Sequence, residues 1–149
     1  MAISPEVADI IRRKKAQYCR FADTNQWHLF DRIMLPEATF CFEANGSPVS
    51  VGGDEHIFSS REEFVSHFSK VFESLQTIHL IDHGDLEQTG PDEVKAVWGL
   101  IYYFGLKGSD TEGHEAAGGH YYETWRLKDG DWFMESLRME RLYRKPLGP

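Results

Sequence analysis

The chain has 149 residues, 41% of them hydrophobic and 13% aromatic, enough for one domain with its own buried core. Its 24 acidic residues outnumber 16 basic ones, giving a formal charge of −8, and a surface of that sign repels phosphate backbones and argues against nucleic acid as a partner. No apolar run approaches the ~20 residues that span a bilayer, so no membrane partner is expected.

Lys and Arg gather in two small clusters, residues 12–15 and 138–145, and each reads as a solvated face. Two cysteines, Cys19 and Cys41, with no charged-then-apolar leader ahead of the first helix, read as reduced thiols in a cytoplasmic protein.

The first predicted helix covers residues 5–22. Ser4 suits its N-cap and Pro5 its first position, and Val7, Ile10, Ile11, Tyr18 and Phe21/Ala22 recur at helical spacing, with residues 12–15 mostly off that stripe. Asp23 stands where this helix ends. A helix C-terminus carries partial negative charge and disfavours a carboxylate by roughly 0.3–1 kcal/mol. Either Asp23 or Thr24 caps the next helix, or the carboxylate serves a site.

A short second helix is expected over residues 26–35, stopping before Pro36. Residues 38–43 alternate and are β-prone, Asn45-Gly46 reads as a turn, and residues 49–58 as a short ragged strand pair around Gly52-Gly53. A third helix starts at Ser59 or Ser60, because Ser59-x-x-Glu62 and Ser60-x-x-Glu63 both fit a capping box. Its apolar stripe is Phe64, Val65, Phe68, Val71, Phe72 and Leu75.

Antiparallel strands are expected over residues 77–88, 93–106, 120–128 and 131–143. Thr89-Gly-Pro-Asp92 and Lys128-Asp-Gly-Asp131 are the turns, and residues 108–119 form a polar, Gly-rich loop. With no repeat and no linker, a single α+β domain spanning residues 1–149 follows, its three helices set against a long curved meander able to enclose a cavity.

Strand periodicity sorts side chains into two faces. Val94, Ala96, Trp98, Leu100, Tyr102 and Phe104 share one, and Tyr102 brings a hydroxyl that needs a partner if buried. His79, Ile81 and His83 share a face in the preceding strand. A zinc reading of His79 and His83 fails, because four strand residues span roughly 13 Å while zinc–nitrogen bonds are ~2.0–2.1 Å. His120 and Tyr121-Tyr122 stand at a cavity mouth or merely at a strand end. Nucleophile elbow, phosphate loop and dinucleotide fingerprint are all missing from the sequence.

The order of elements, with Tyr18-x-x-x-x-Asp23-x-x-x-Trp27, Thr77-x-His79 and Trp125-x-x-x-Asp129-Gly130-x-Trp132, resembles the SnoaL-like family of the nuclear-transport-factor-2-like superfamily over about residues 6–144. The resemblance implies a cone-shaped barrel of strongly curved, mostly antiparallel sheet packed on three N-terminal helices around a hydrophobic pocket. It looks closest to the branch holding scytalone dehydratase, bile acid 7α-dehydratase and hexachlorocyclohexane dehydrochlorinase. Those enzymes pair an Asp from the end of the first helix with a His from the strand after the third, and Asp23 and His79 stand at these positions. Tyr18 matches a catalytic-site Tyr of the bile acid enzyme. Tyr102 falls near a site that is Asp there, and residue 22 lacks the phenol that scytalone dehydratase carries.

Implied from this is a cofactor-independent lyase that dehydrates a hydrophobic polycyclic or polyketide-like hydroxy-carbonyl compound, with no metal. His79 would take a proton, Asp23 would orient it, and Tyr18, Tyr102 or His120 would polarise oxygen. Trp27, Phe40, Trp98, Phe104 and Tyr121 are the aromatic candidates for substrate binding. Isomerisation or ring closure by the same dyad, and a non-catalytic binding or assembly subunit, are the alternatives. A homodimer or homotrimer is expected from the superfamily's habit of pairing outer sheet faces.

Overall fold

A computed structural model describes residues 2–51 and 54–148. Helix α1 spans Pro5–Asp23, one residue beyond the expected end. The Ser4 hydroxyl accepts from Val7 N at 3.2 Å, and Pro5 sits where its missing N–H costs nothing. The helix stops in a Schellman motif. Asn25 turns left-handed at φ +55°, Gln26 N donates to Phe21 O at 2.8 Å and Asn25 N to Ala22 O at 3.3 Å. Asp23 is thereby left as the last helical residue.

The second helix is shorter than expected, a 3-10 turn over Trp27–Arg32. Pro36 does not follow a helix but lies within strand β1, Met34–Ala44. It is tolerated there because the pairing of β1 is irregular between Met34 and Thr39, where no ladder N–H is needed. Short strands β2 (Ser47–Pro48) and β5 (Ile57–Phe58) pair with β1, while β3 (Ser50–Val51) and β4 (Asp54–Glu55) pair with each other. The Gly52-Gly53 turn expected between them lies outside the described residues.

Helix α2 runs over Arg61–Val71. Both flagged serines take part in its cap. Ser60 Oγ accepts from Glu63 N at 3.1 Å, and the Glu63 carboxylate reaches back to Ser59 N at 2.7 Å. A 3-10 turn over Phe72–Ser74 leads into the sheet.

The remaining strands are β6 (Leu75–Ile81), β7 (Asp85–Gly90), β8 (Glu93–Leu106), β9 (Glu115–Lys128) and β10 (Asp131–Pro146). The strand expected over residues 77–88 is two, broken where Gly84 takes φ +81° against the Trp98 ring. The expected Gly-rich loop is shorter, because residues 115–119 continue β9. The sheet order is β2-β1-β10-β9-β8-β6, with β5 on β1 and β7 on β8. Among these pairs β1–β10 is parallel and the rest antiparallel. The sheet curls around the helices without closing into a barrel.

Face assignment on β8 follows the alternation. Val94, Ala96, Trp98 and Leu100 are at most 4% exposed, whereas Ile101 and Tyr103 on the other face are 46% and 43% exposed. The basic cluster of α1 departs from expectation. Lys14 and Lys15 are buried, not solvated. Lys14 Nζ donates to Asp131 Oδ2 at 2.9 Å and to Trp132 O, and Lys15 pairs with Glu123 under α1. Among the described residues no helix is long and apolar enough to cross a membrane.

Candidate active site

Strand β6 turns Thr77 and His79 inward, toward the end of α1, and Ile78 and Leu80 outward. The Asp23 carboxylate meets three donors there. Thr77 Oγ1 donates to Oδ1 at 2.8 Å, His79 N donates to Oδ2 at 3.0 Å, and His79 Nδ1 lies 2.6 Å from Oδ1. These bonds offset the unfavourable helix end, so the carboxylate belongs to β6 and caps no second helix. Both side chains are about nine-tenths buried, at 9% and 10% exposure.

The His79 ring is held between Phe72, at 6.0 Å and 23°, and Tyr102, at 5.3 Å and 14°. With Nδ1 engaged by Asp23, Nε2 is the ring nitrogen left for the cavity that His79 lines. That cavity, of about 280 Å³, lies between the helices and the concave sheet face. Its walls include Tyr18, Trp27, Phe64, Phe68, Phe72, Tyr102, Phe104 and Tyr121. In the apolar stripe of α2, Phe64 is buried, whereas Phe68, Phe72 and Leu75 are only partly buried because they form this wall.

Tyr18 and Tyr121 meet edge to face with ring centroids 5.7 Å apart, and burial pushes both phenols well above their ordinary range, reinforced by Cys19 and Glu123 at Tyr18 and by Tyr18 and Cys19 at Tyr121. They stay protonated and can donate. Burial raises Tyr102 too, against the pull of the neighbouring Arg141 guanidinium. Behind Tyr18 and Tyr121, Lys15 Nζ sits 3.7 Å and 3.5 Å from their ring centroids. The ammonium approaches Glu123 Oε2 at 2.5 Å, off the hydrogen-bond direction, with both side chains fully buried. Trp98 Nε1 and Trp125 Nε1 donate to the other oxygen of Glu123 at 2.8 and 2.9 Å.

The structure thus gathers Asp23, His79, Tyr18, Tyr102, Trp27, Phe104 and Tyr121 at one cavity. Three sequence candidates are placed elsewhere. His120 is opposite Gly99 and Glu140 on the outer sheet face, because strand alternation gives the inner positions to Gly119 and Tyr121. Phe40 stacks behind the wall on Phe64 at 4.5 Å, and Trp98 is spent on Glu123. His83 lies in the break between β6 and β7, its carbonyl accepting from Arg12. His56, Arg141 and Arg144 line the cavity and were not singled out. Alternation from Met139 would have pointed to Arg141, but His56 sits in a stretch with no periodicity. A larger groove of about 580 Å³ on the far side of the sheet, against Thr39, Lys95, Tyr122 and Arg138, contains neither member of the dyad.

A family model described as the SnoaL-like domain matches residues 6–138. The chain belongs to the SnoaL-like family. It is similar over its length to the probable cyclase FGR4 of Gibberella zeae, 53% identical over 148 residues and covering 99% of each chain. Among solved structures, a protein of Novosphingobium aromaticivorans named for scytalone dehydratase superposes with a TM-score of 0.77 at 10% identity, covering 95% of this chain and 87% of that one. Hexachlorocyclohexane dehydrochlorinase LinA-type3 from Novosphingobium barchaimii superposes at 0.74 and 17% identity, covering 94% and 89%. At such identities the SnoaL-like chain shares a fold with these two proteins and nothing more follows.

Proposed function

We propose that this SnoaL-like protein is an enzyme that converts a hydrophobic small molecule by proton transfer at a carbon beside a carbonyl, using protein groups alone. The observation that carries the reading is the 2.6 Å Asp23–His79 contact, with the second ring nitrogen left to an aromatic cavity. His79 Nε2 takes the proton and becomes imidazolium, which the Asp23 carboxylate stabilises while fixing the ring. The electron pair moves to the carbonyl oxygen, where a phenol of Tyr18 or Tyr102 donates to the enolate. Two outcomes share this intermediate. In ring closure the enolate carbon attacks an electrophile of the same molecule; in dehydration the β C–O bond breaks and imidazolium returns its proton to form water.

The 53% identity to a relative named as a probable cyclase favours ring closure or isomerisation, and the family resemblance favours dehydration of a polyketide-like hydroxy-carbonyl compound. A non-catalytic binder has no need of a buried carboxylate aligned on an imidazole. The test is deuterium exchange and turnover of cyclic β-hydroxy ketones by the wild type and His79→Ala. Loss of both in the variant is expected, and exchange that survives the substitution would falsify the role of His79.

The outer sheet face carries an apolar row in which Ile78 faces Tyr103 and Leu80 faces Ile101, all more than 40% exposed. We propose a homodimer or homotrimer built on this face, a reading that the exposed apolar row supports. Sedimentation should give a multiple of the 17.2 kDa chain mass, and Leu80→Lys should reduce it to one.

A further inference from the structure

The cavity has a second polar end that the dyad does not use. Met139 and Arg141 face inward by alternation, which would turn Arg144 outward. A register shift between Arg141 and Tyr143 inserts Leu142, 64% exposed, as an extra residue. Arg144 then falls opposite Ala117, on the inner face with Arg141.

The two arginines are not equivalent. Arg144 is neutralised by Glu115 through two parallel bonds, Nε to Oε1 at 2.9 Å and Nη2 to Oε2 at 2.7 Å. Arg141 makes no ion pair with a carboxylate among the described residues, Glu115 acting on it only at longer range, and its guanidinium shares the cavity wall with Tyr102. His56 lines the same end, 9% exposed, and its Nε2 is buried with no hydrogen-bond partner among the described residues. Burial first, then the neighbouring His67 and Arg141, hold His56 below the ordinary histidine range, so it is neutral at pH 7. Asp23 does not balance Arg141, because its oxygens are taken by Thr77 and His79. Two guanidiniums facing the one Glu115 carboxylate leave a net positive charge, which shares with the His56 imidazole a cavity lined mostly by aromatic and aliphatic side chains.

We propose that Arg141, with the Tyr102 hydroxyl and His56 Nε2, binds a carboxylate carried by the substrate, which is accordingly a compact hydrophobic carboxylic acid. A single free guanidinium matches a planar monoanion bidentately, whereas a phosphate dianion would need a second free cation, and Arg144 is spent. That the reacting carbon lies toward His79 rests on the proton-transfer reading; the carboxylate site does not.

The test is calorimetric binding of 2-naphthoate and of 2-naphthamide, the same skeleton without charge, at pH 7.5. The wild type should prefer the acid by about tenfold or more. Arg141→Gln should abolish the preference, Arg141→Lys should restore part of it, and His79→Gln should retain it. By NMR, naphthoate should raise the pKa of His56 and the amide should leave it unmoved. Equal affinity for the two probes, no binding of the acid, or a preference that survives Arg141→Gln overturns the site. If selective binding persists in wild type and His79→Gln while the wild type catalyses no exchange, the carboxylate site stands and the proton-transfer reading falls.

Discussion

Asp23 and His79 stand 56 residues apart in the chain, and their value lies in charge and direction rather than bulk. Asp23→Asn keeps the shape but replaces an anionic acceptor with an amide, leaving the imidazolium unsupported and the tautomer unfixed. Turnover should fall by roughly 10²–10⁴-fold, with denaturant midpoints little changed. Lys15 and Glu123 make the opposite case, since both are fully buried. Lys15→Met would strand a carboxylate that only two indole N–H groups still hold, at a cost of about 3–5 kcal/mol. Lys15→Met combined with Glu123→Leu should recover much of that loss, and urea unfolding of the three proteins reads the coupling directly.

At the level of elements, the site depends on where α1 stops and how β10 is registered. The Schellman motif at Asn25 ends the helix with Asp23 against β6. The bulge at Leu142 turns Arg144 inward beside Arg141, and it has a backbone counterpart. A Cβ on Gly119 would lie 2.0 Å from the Glu140 carbonyl oxygen and 2.9 Å from Arg141 Cα. Neither is a side chain that can swing away. Gly119→Ala should therefore cost about 3 kcal/mol, at the upper end of overpacking, and weaken naphthoate binding by displacing Arg141. Chemical unfolding and the binding assay together check it.

The whole molecule should show an acid sensitivity that its net charge does not explain. His56 has its folded pKa held below the ordinary value, chiefly by burial. In that window the unfolded chain binds a proton that the native protein does not, so stability rises with pH. The contribution is complete above the unfolded value of about 6.5 and is lost as pH falls through the lower folded value. Thermal melts should drop between pH 7 and 5, and His56→Gln should flatten that drop. An unchanged slope in the variant would remove His56 as the cause.

Local physics made much of this protein legible from its residues. Alternation along β8 separated cavity face from outer face, capping chemistry placed the start of α2, and Asp129-Gly130 marked the last hairpin through paired left-handed residues. The family resemblance carried Asp23 and His79 to their positions. What only the tertiary structure decided are the features set by a distant partner. Lys14 and Lys15 look like a solvated face until Asp131 and Glu123 meet them. Arg141 and Arg144 read as a solvated face until the fold sets Arg141 beside the cavity and a bulge turns Arg144 inward to join it. The pairing of β9 with β8 and β10 put His120 on the outer face and its neighbour Tyr121 within. A helix or a hairpin is specified by neighbours in the chain, but the environment of a charge is specified by whichever residues the fold brings to it.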